Sequence, residues 1–297
     1  MAAILDNYRP RLAAIPALAT FCERAEELLR ADEPERLWSV EPFFRDLVAS
    51  DVVEAFLLRE LNAIASNHFY FLPGASDFHA PLAESSAYSL LIRWLAPESV
   101  VSVPVSTLTE HLLLAAWGSS VDVERFALEP PFRIDVFDRS RRLVPLGTTE
   151  LEPGTVARFR SPAETFRLRL QRPSVLIQLQ SRPTVPLRWV FHPETLEPVR
   201  AAAVSLSSSR LQFTCHTLAA LGSPTSIPAL TTLTAHPEHY VRWAAIQSIC
   251  SISQSDGIEC LRRALDDDHP HVRNAARKTL AQVGSDAANE REAQPWH

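Results

Sequence analysis

The residues in this chain best suited to chemistry are a few histidines and carboxylates near position 80. In Asp77-Phe78-His79 the two polar residues stand two apart. On an extended strand they share a face and offer two metal donors. His111, and His68 just upstream, are the further imidazoles close by in sequence. A metal site rebuilt from Asp77, His79 and His111 is therefore one reading. The alternative requires no site: these are loop and surface polar residues, and His111, opening an apolar run, is a hydrogen-bonded interior or edge histidine. The second reading is the one carried forward, with no metal and no cofactor.

Nucleophilic and nucleotide chemistry have little to work with. There is no Gly-x-Ser-x-Gly elbow, and with seven glycines the chain has no phosphate-cradling GxxxxGK[ST] loop. Cys22, Cys215, Cys250 and Cys260 show no CxxC pairing and fall in helical-looking segments, which reads as buried thiols in a reducing compartment. The more pointed charge pattern is basic. Residues 131–190 hold eleven arginines against five acidic residues. Arg167 and Arg169 alternate with Phe166, Leu168 and Leu170, while Arg158 and Arg160 flank Phe159. Alternation of this kind gives a sheet one apolar and one arginine-rich face. Arg158, Arg160, Arg167 and Arg169 would centre a patch for an anionic partner, unless that face docks on the chain's own acidic helix (Glu23, Glu26, Glu27, Asp32, Glu33, Glu35) or is simply solvated.

The elements that must position these residues follow from hydropathy and breakers. The 297 residues suit about two domains. A hydrophobic share of 46% and a net charge of −6 suit a globular protein and argue against nucleic-acid or membrane partners. No apolar run approaches the ~20 residues that span a bilayer, and the N-terminus lacks a secretory pattern, so a cytoplasmic protein is expected. Arginine in place of all but one lysine, Lys278, suggests a high-GC bacterial source. Leu12, Ile15, Leu18, Phe21, Ala25, Leu28 and Leu29 recur at three- and four-residue steps and predict a helix, with more helix at 43–50 and 52–65. Short β-rich runs follow at 87–95, 111–116, 121–128, 132–137, 155–160, 165–171 and 175–180, separated by Gly and Pro, and predict an antiparallel sandwich or barrel.

The last third repeats itself. Leu196, Ile227 and Ile258 are 31 residues apart, as are Val199, Leu230 and Leu261; Leu218, Ile249 and Leu280; and Leu221, Ile252 and Val283. Four apolar columns in register predict three stacked helix pairs. Two further columns are largely polar: Gln212, Trp243 and Asn274, then His216, Gln247 and Lys278. They line one face of the stack and are the candidate partner-binding residues, with Trp243 either an anchor or packed between repeats. Arg242 and Arg273 are expected to brace repeats against the acidic turns.

Two resemblances extend this. Asp266–Leu280, with an acidic turn, then Val272-Arg273, Ala275-Ala276 and Leu280, resembles the short HEAT repeat of the phycobilisome-lyase type, as does His239–Ile249; the first unit is degenerate, with Arg210-Leu211 in place of Val-Arg. In the β region, Tyr88–Pro97 is similar to the strand and turn that precede the iron-binding His-x-His of cysteine-dioxygenase-type cupins, RmlC-like jelly rolls. Leu151–Val156 resembles the turn before that family's third metal histidine. The resemblance implies a small barrel around non-haem iron, yet Val103-Pro104-Val105-Ser106 and Glu164-Thr165-Phe166 stand where the ligands would fall.

The expected architecture is thus multi-domain α+β: a helical segment at 1–84, a cupin-like antiparallel β-barrel at 85–191, a HEAT-like α-solenoid of three helix pairs at 192–284 and a disordered tail at 285–297. The expected function is that of a non-catalytic interaction or adaptor protein. Its repeats would bind a protein or peptide, and its metal-free barrel would serve as scaffold or small-ligand pocket. The alternatives are a cupin-type oxygenase using iron, and, by repeat analogy alone, a helper in chromophore or cofactor attachment.

Overall fold

The computed structural model describes residues 7–97 and 104–292, with side chains through Val283. It divides into two compact units, Met1–Val204 and Ser205–His297.

The first unit begins with α1 (Arg9–Ala14) and α2 (Pro16–Leu28), a 3-10 segment (Pro34–Val40), α3 (Glu41–Val48) and α4 (Val52–Ser66). Among the described residues eleven strands follow: β1 (His79–Glu84), β2 (Tyr88–Leu95), β3 (Val105–Ser106), β4 (Leu112–Trp117), β5 (Val121–Leu128), β6 (Leu143–Leu151), β7 (Val156–Phe159), β8 (Glu164–Arg169), β9 (Ser174–Ser181), β10 (Leu187–Phe191) and β11 (Pro198–Ala203). They form a five-stranded sheet, β1-β2-β9-β4-β7, and two three-stranded sheets, β6-β5-β8 and β11-β10-β3. All the ladders are antiparallel. The strands of the described residues thus make separate layers and not one closed barrel.

The five-stranded sheet is apolar on both faces. Alternate residues Tyr88, Leu90 and Ile92, with Leu113, Ala115, Ile177 and Leu179, share a core with Leu18, Phe21, Ala25, Phe44, Val53 and Phe56 of the helices. The intervening residues, among them Leu95, Leu112, Leu114, Ala116 and Leu176, pack on Val121, Val123, Leu151 and Leu168 of the second sheet. Each fully buried side chain of this size contributes roughly 1.5–3 kcal/mol. Arg11 ties the first helix to the sheet: it is 7% exposed, donates to the carbonyls of Pro81 (2.5 Å) and Leu82 (3.1 Å), and lies 3.6 Å from Glu60. Of the expected acidic partners of the arginine-rich strands, Glu35 faces Arg160, while the other arginines find different carboxylates. Arg158 pairs with Glu41 at the start of α3, and Arg167 and Arg169 both grip Glu124 of β5.

The second unit contains α5 (Leu206–Leu221), α6 (Ile227–Leu233), α7 (His239–Ile252), α8 (Gln254–Arg263) and α9 (Pro270–Glu292). Helix α7 packs on α5, α6, α8 and α9. Ser205 caps α5, its hydroxyl accepting from the Ser208 N–H at 3.2 Å, and Gly222 closes the helix at φ 68°, a backbone region open to glycine. Arg242 forks onto Asp267 (Nε to Oδ2 2.8 Å, Nη2 to Oδ1 2.6 Å) and donates to the carbonyls of His236 and Pro237. Arg273 donates to the Asp267 carbonyl at 2.5 Å. Arg242 thus braces its repeat against the acidic turn of the next, as the sequence suggests, while Arg273 ties that turn to its own helix.

Several expectations are corrected. The repeat region is a single helix followed by two helix pairs, not three pairs. Leu196, at φ 58°, lies in a turn and packs on the core of Trp189 and Phe191, and Val199 is an exposed residue of β11. The unit boundary accordingly falls after Val204 and not at 191/192, and the N-terminal helices share a unit and a core with the sheets. Residues 132–137 are turns, whose aromatic side chains Phe132 and Phe137 pack on the same core. Helical backbone continues to Glu292 in place of a disordered segment from 285; residues 293–297 lie outside the described residues. Cys22, Cys215 and Cys260 are buried and Cys250 partly so, all as free thiols. Burial pushes the Cys22 thiol up to about 11.

Gly257 tests the packing of α8 on α7. A Cβ there would lie 2.6 Å from the Cys250 Cα and 2.8 Å from its Sγ. Gly257→Ala gains roughly 1 kcal/mol of helix propensity, but the clash is with backbone. We expect a net loss of at least about 1 kcal/mol in a denaturant titration, against a net gain if the helices part without strain.

Candidate functional site

Strand β2 reads Tyr-Ser-Leu-Leu-Ile-Arg-Trp-Leu, and its one charged residue is Arg93, on the face turned away from the helices. Its neighbour on β9 places Gln178 on the same inner face, opposite Leu91 and Leu114. Arg93 Nη1 donates to Gln178 Oε1 at 3.3 Å, and Gln178 Nε2 donates to Gln180 Oε1 at 2.6 Å. Burial lowers the Arg93 pKa, and no carboxylate among the described residues acts on it. A guanidinium stays charged regardless. A partly desolvated cation held by one neutral amide is therefore short of counter-charge.

Arg93 opens onto a cavity of about 490 Å3. Ser76, His79, Ser106, Thr165 and Arg167 supply its other polar groups, and Phe78, Leu95, Leu108, Phe166 and Leu168 its apolar wall. Arg167 is already committed: Nε and Nη2 lie 2.8 and 2.7 Å from Glu124 Oε2, and Nη1 donates to the Pro193 carbonyl at 2.7 Å. His79 Nδ1 is 2.8 Å from the Ser76 hydroxyl. Thr165 Oγ1 donates to the Ser106 carbonyl at 2.5 Å. A second cavity, about 510 Å3, carries Asp122 and Glu150 with Arg169 and Arg172 and so balances its own charges.

Of the two segments at the cupin ligand positions, residues 104–106 and 165–166 come together at this cavity; Glu164 does not line it, and Val103 lies outside the described residues. Among the described residues the lining offers one imidazole, His79, and no carboxylate. A non-haem iron site draws on about three such donors, so these residues do not fit iron. The rival set is not gathered either. Asp77 is exposed, and its carbonyl accepts from Trp94 Nε1 at 2.6 Å. His111 is 2% exposed; its Nδ1 accepts from the Ser161 N–H at 3.1 Å and its Nε2 lies 3.0 Å from Glu35 Oε1. It ties the 3-10 segment to the sheet.

Three of the four arginines are spread over two sheets. Arg158 lies on β7 of the five-stranded sheet, whereas Arg167 and Arg169 lie on β8 of another. Arg158 is drawn to Glu41, and Arg160 acts on Glu35 and His111. Burial would raise the Glu124 carboxyl, but the hydrogen bonds from Arg169 and Arg167 hold it below its usual range. In the second unit His216, Gln247, Asn274 and Lys278 are exposed on the parallel helices α5, α7 and α9, and Gln212 is half-buried. Trp243 is half-buried against the repeat core, so it packs between repeats and does not stand out as an anchor.

Residues 232–291 match the family model of HEAT repeats. The match is to the general repeat and reaches from α6 to α9. No curated protein matches the chain. Among solved structures, a hydroquinone 1,2-dioxygenase from Sphingomonas sp. TTNP3 with 4-hydroxybenzoate bound is similar at TM-score 0.29 and 14% identity, over 42% of this chain and 78% of that one. A sugar phosphate isomerase of the cupin superfamily from Silicibacter pomeroyi DSS-3 is similar at TM-score 0.27 and 13% identity, over 42% and 73%. A hydroquinone 1,2-dioxygenase in complex with Cd2+ and 4-hydroxybenzonitrile follows at TM-score 0.28 and 15% identity, over 37% and 68%. Such scores carry no inference about activity.

Sequence reasoning missed Arg93, whose signal was a lone cation in a strand apolar on both faces. It also missed an exposed apolar surface on α4 and the turn after it: Leu58 is 62%, Leu61 61%, Phe69 94% and Phe71 73% exposed. No described helix is long and apolar enough to cross a membrane.

The His111 contact predicts a pH dependence. Desolvation lowers its pKa, against the pull of Glu35. The folded pKa therefore lies below the unfolded value of 6.5. The stability it confers is complete above that value and is lost as pH falls toward the folded pKa. For Glu35 burial acts upward, but the Trp38 hydrogen bond, His111 and Arg160 outweigh it, so it too loses stability on acidification. The melting temperature should fall from about pH 7 to about pH 5, and His111→Gln should flatten that fall. An unchanged slope in the variant would assign the dependence elsewhere.

Proposed function

We propose that this chain is a non-catalytic recognition protein, in which the HEAT-like unit holds a protein or peptide and the inter-sheet cavity takes the anionic group of a small ligand. The observation that supports it is Arg93, a cation facing a cavity of about 490 Å3 and hydrogen-bonded, among the described residues, to a neutral amide. A carboxylate or phosphate would supply the missing counter-charge through charge-assisted hydrogen bonds from the Arg93 guanidinium. Apolar residues on the remaining wall would receive the ligand's body. The donor set disfavours the oxygenase alternative. HEAT repeats are a common scaffold for extended protein contacts, and the exposed side chains of His216, Gln247 and Lys278 offer a polar face for one.

Titration calorimetry with a panel of small carboxylates and phosphates tests the cavity. At least one should bind, and Arg93→Gln should weaken it by roughly 10-fold or more, consistent with loss of about 1.5–3 kcal/mol from a charged hydrogen bond. Stoichiometric iron, nickel or manganese in protein purified without chelators, lost in His79→Ala, would overturn the reading in favour of an enzyme.

The repeat face is tested separately. His216→Glu, Gln247→Arg and Lys278→Glu together should leave the melting temperature unchanged while abolishing capture of whichever partner the intact chain retains. Undiminished capture would move the contact off this face.

A further inference from the structure

Three of the chain's ten histidines meet in the second unit, far along the sequence from any cavity residue. His239 opens α7, and His269 and His271 straddle Pro270 at the head of α9. The repeat explains the meeting: one period of 31 residues after His239 is position 270, so stacked repeats bring the three side chains to one place. The rings of His239 and His269 lie face to face with centroids 3.6 Å apart and 7° between planes. His271 stands edge-on to both, at 6.1 and 5.1 Å. One donor nitrogen from each ring lies within 4.8 Å of the other two.

We propose that His239, His269 and His271 form a binding site for a divalent metal of the zinc type, joining two successive repeats. Imidazole is the ligand class that suits zinc, copper and nickel. A tetrahedral centre with bonds of 2.0–2.1 Å sets its nitrogens about 3.3 Å apart. Closing the present spacing needs ring rotations and a tilt of the stacked pair. His269 is 5% exposed and its loop is fixed, its own N–H donating to Asp267 Oδ1 at 2.8 Å while Asp267 is gripped by Arg242. Imidazole ligates a metal in its neutral form, through a ring nitrogen lone pair. The amide of His271 donates to His269 Nδ1 at 3.2 Å, and loading exchanges this contact for a coordinate bond.

Helix N-termini carry partial positive charge, which opposes a cation. Glu238 and Asp268, whose charges reach Arg242 from the same two turns, offset it. Three imidazoles leave a tetrahedral metal one open position, for water or for a donor from a bound protein.

The test uses the full chain without an affinity tag, stripped by chelator and titrated with Zn2+ by calorimetry, with Co2+ absorption as a second readout. One equivalent should bind, and the Co2+ spectrum should show tetrahedral bands. His239→Gln and His271→Gln should each weaken binding at least about 10-fold, with helical circular dichroism unchanged, and should not affect anion binding at Arg93. His79→Gln should leave zinc uptake intact. No uptake, or uptake that survives the His239→Gln/His271→Gln double variant, would overturn the site; uptake lost in His79→Gln would move it to the cavity.

Discussion

A β-sheet with apolar side chains on both faces must be covered on both, and that requirement organises the first unit. The β2, β9 and β4 strands of this chain cannot leave a face to water, because Leu90, Ile92, Leu113 and Leu179 point one way and Leu95, Leu112, Leu114 and Leu176 the other. The four helices answer one demand and the β6-β5-β8 sheet the other. The buried arginine at position 11, bound to the carbonyls of two consecutive residues of β1, makes the helical cover specific in register as well as adhesive. Against that double burial, a charge on the inner face stands out, and Arg93 with Gln178, Gln180 and Ser89 on the same face breaks the apolar field.

The same covering rule shows why the arginine-rich strands do not yield a broad electropositive face. Alternation does set Arg167 and Arg169 opposite Phe166 and Leu168, but Glu124 of the neighbouring strand sits within reach of both guanidiniums. Glu41 answers Arg158 from the helical layer. Charge that looks concentrated along the chain is dispersed in space by cross-strand and cross-layer partners, a distribution a one-dimensional count cannot display.

Much of the architecture was legible because it rests on periodicity. The alternation at 165–171 gave β8, the three- and four-residue spacing gave α2, and the 31-residue columns gave the stacking of α5, α7 and α9. Where prediction failed, a local cue outweighed a pattern. Leu196 and Val199 satisfy the apolar columns, yet Pro193 and Pro198 break the helix they would begin, and the segment instead turns and pairs with β10. The aromatic run at 132–137 reads as a strand but meets its core from turns. The candidate sites were less legible for a different reason: Arg93 and Gln178 are 85 residues apart, and His239 meets His269 only once the repeats are stacked, so neither pairing is written in any local window.

The distribution of thiols has a practical corollary. Cys22 lies shut inside the core under the five-stranded sheet, and Cys215 and Cys260 inside the repeats, with none of the four joined to another. Sulfur that is sealed in this way reacts with alkylating reagents only when its surroundings open. Each unit therefore contains an intrinsic chemical clock for its own opening, and mass spectrometry of labelled peptides would time the two separately in the unaltered molecule.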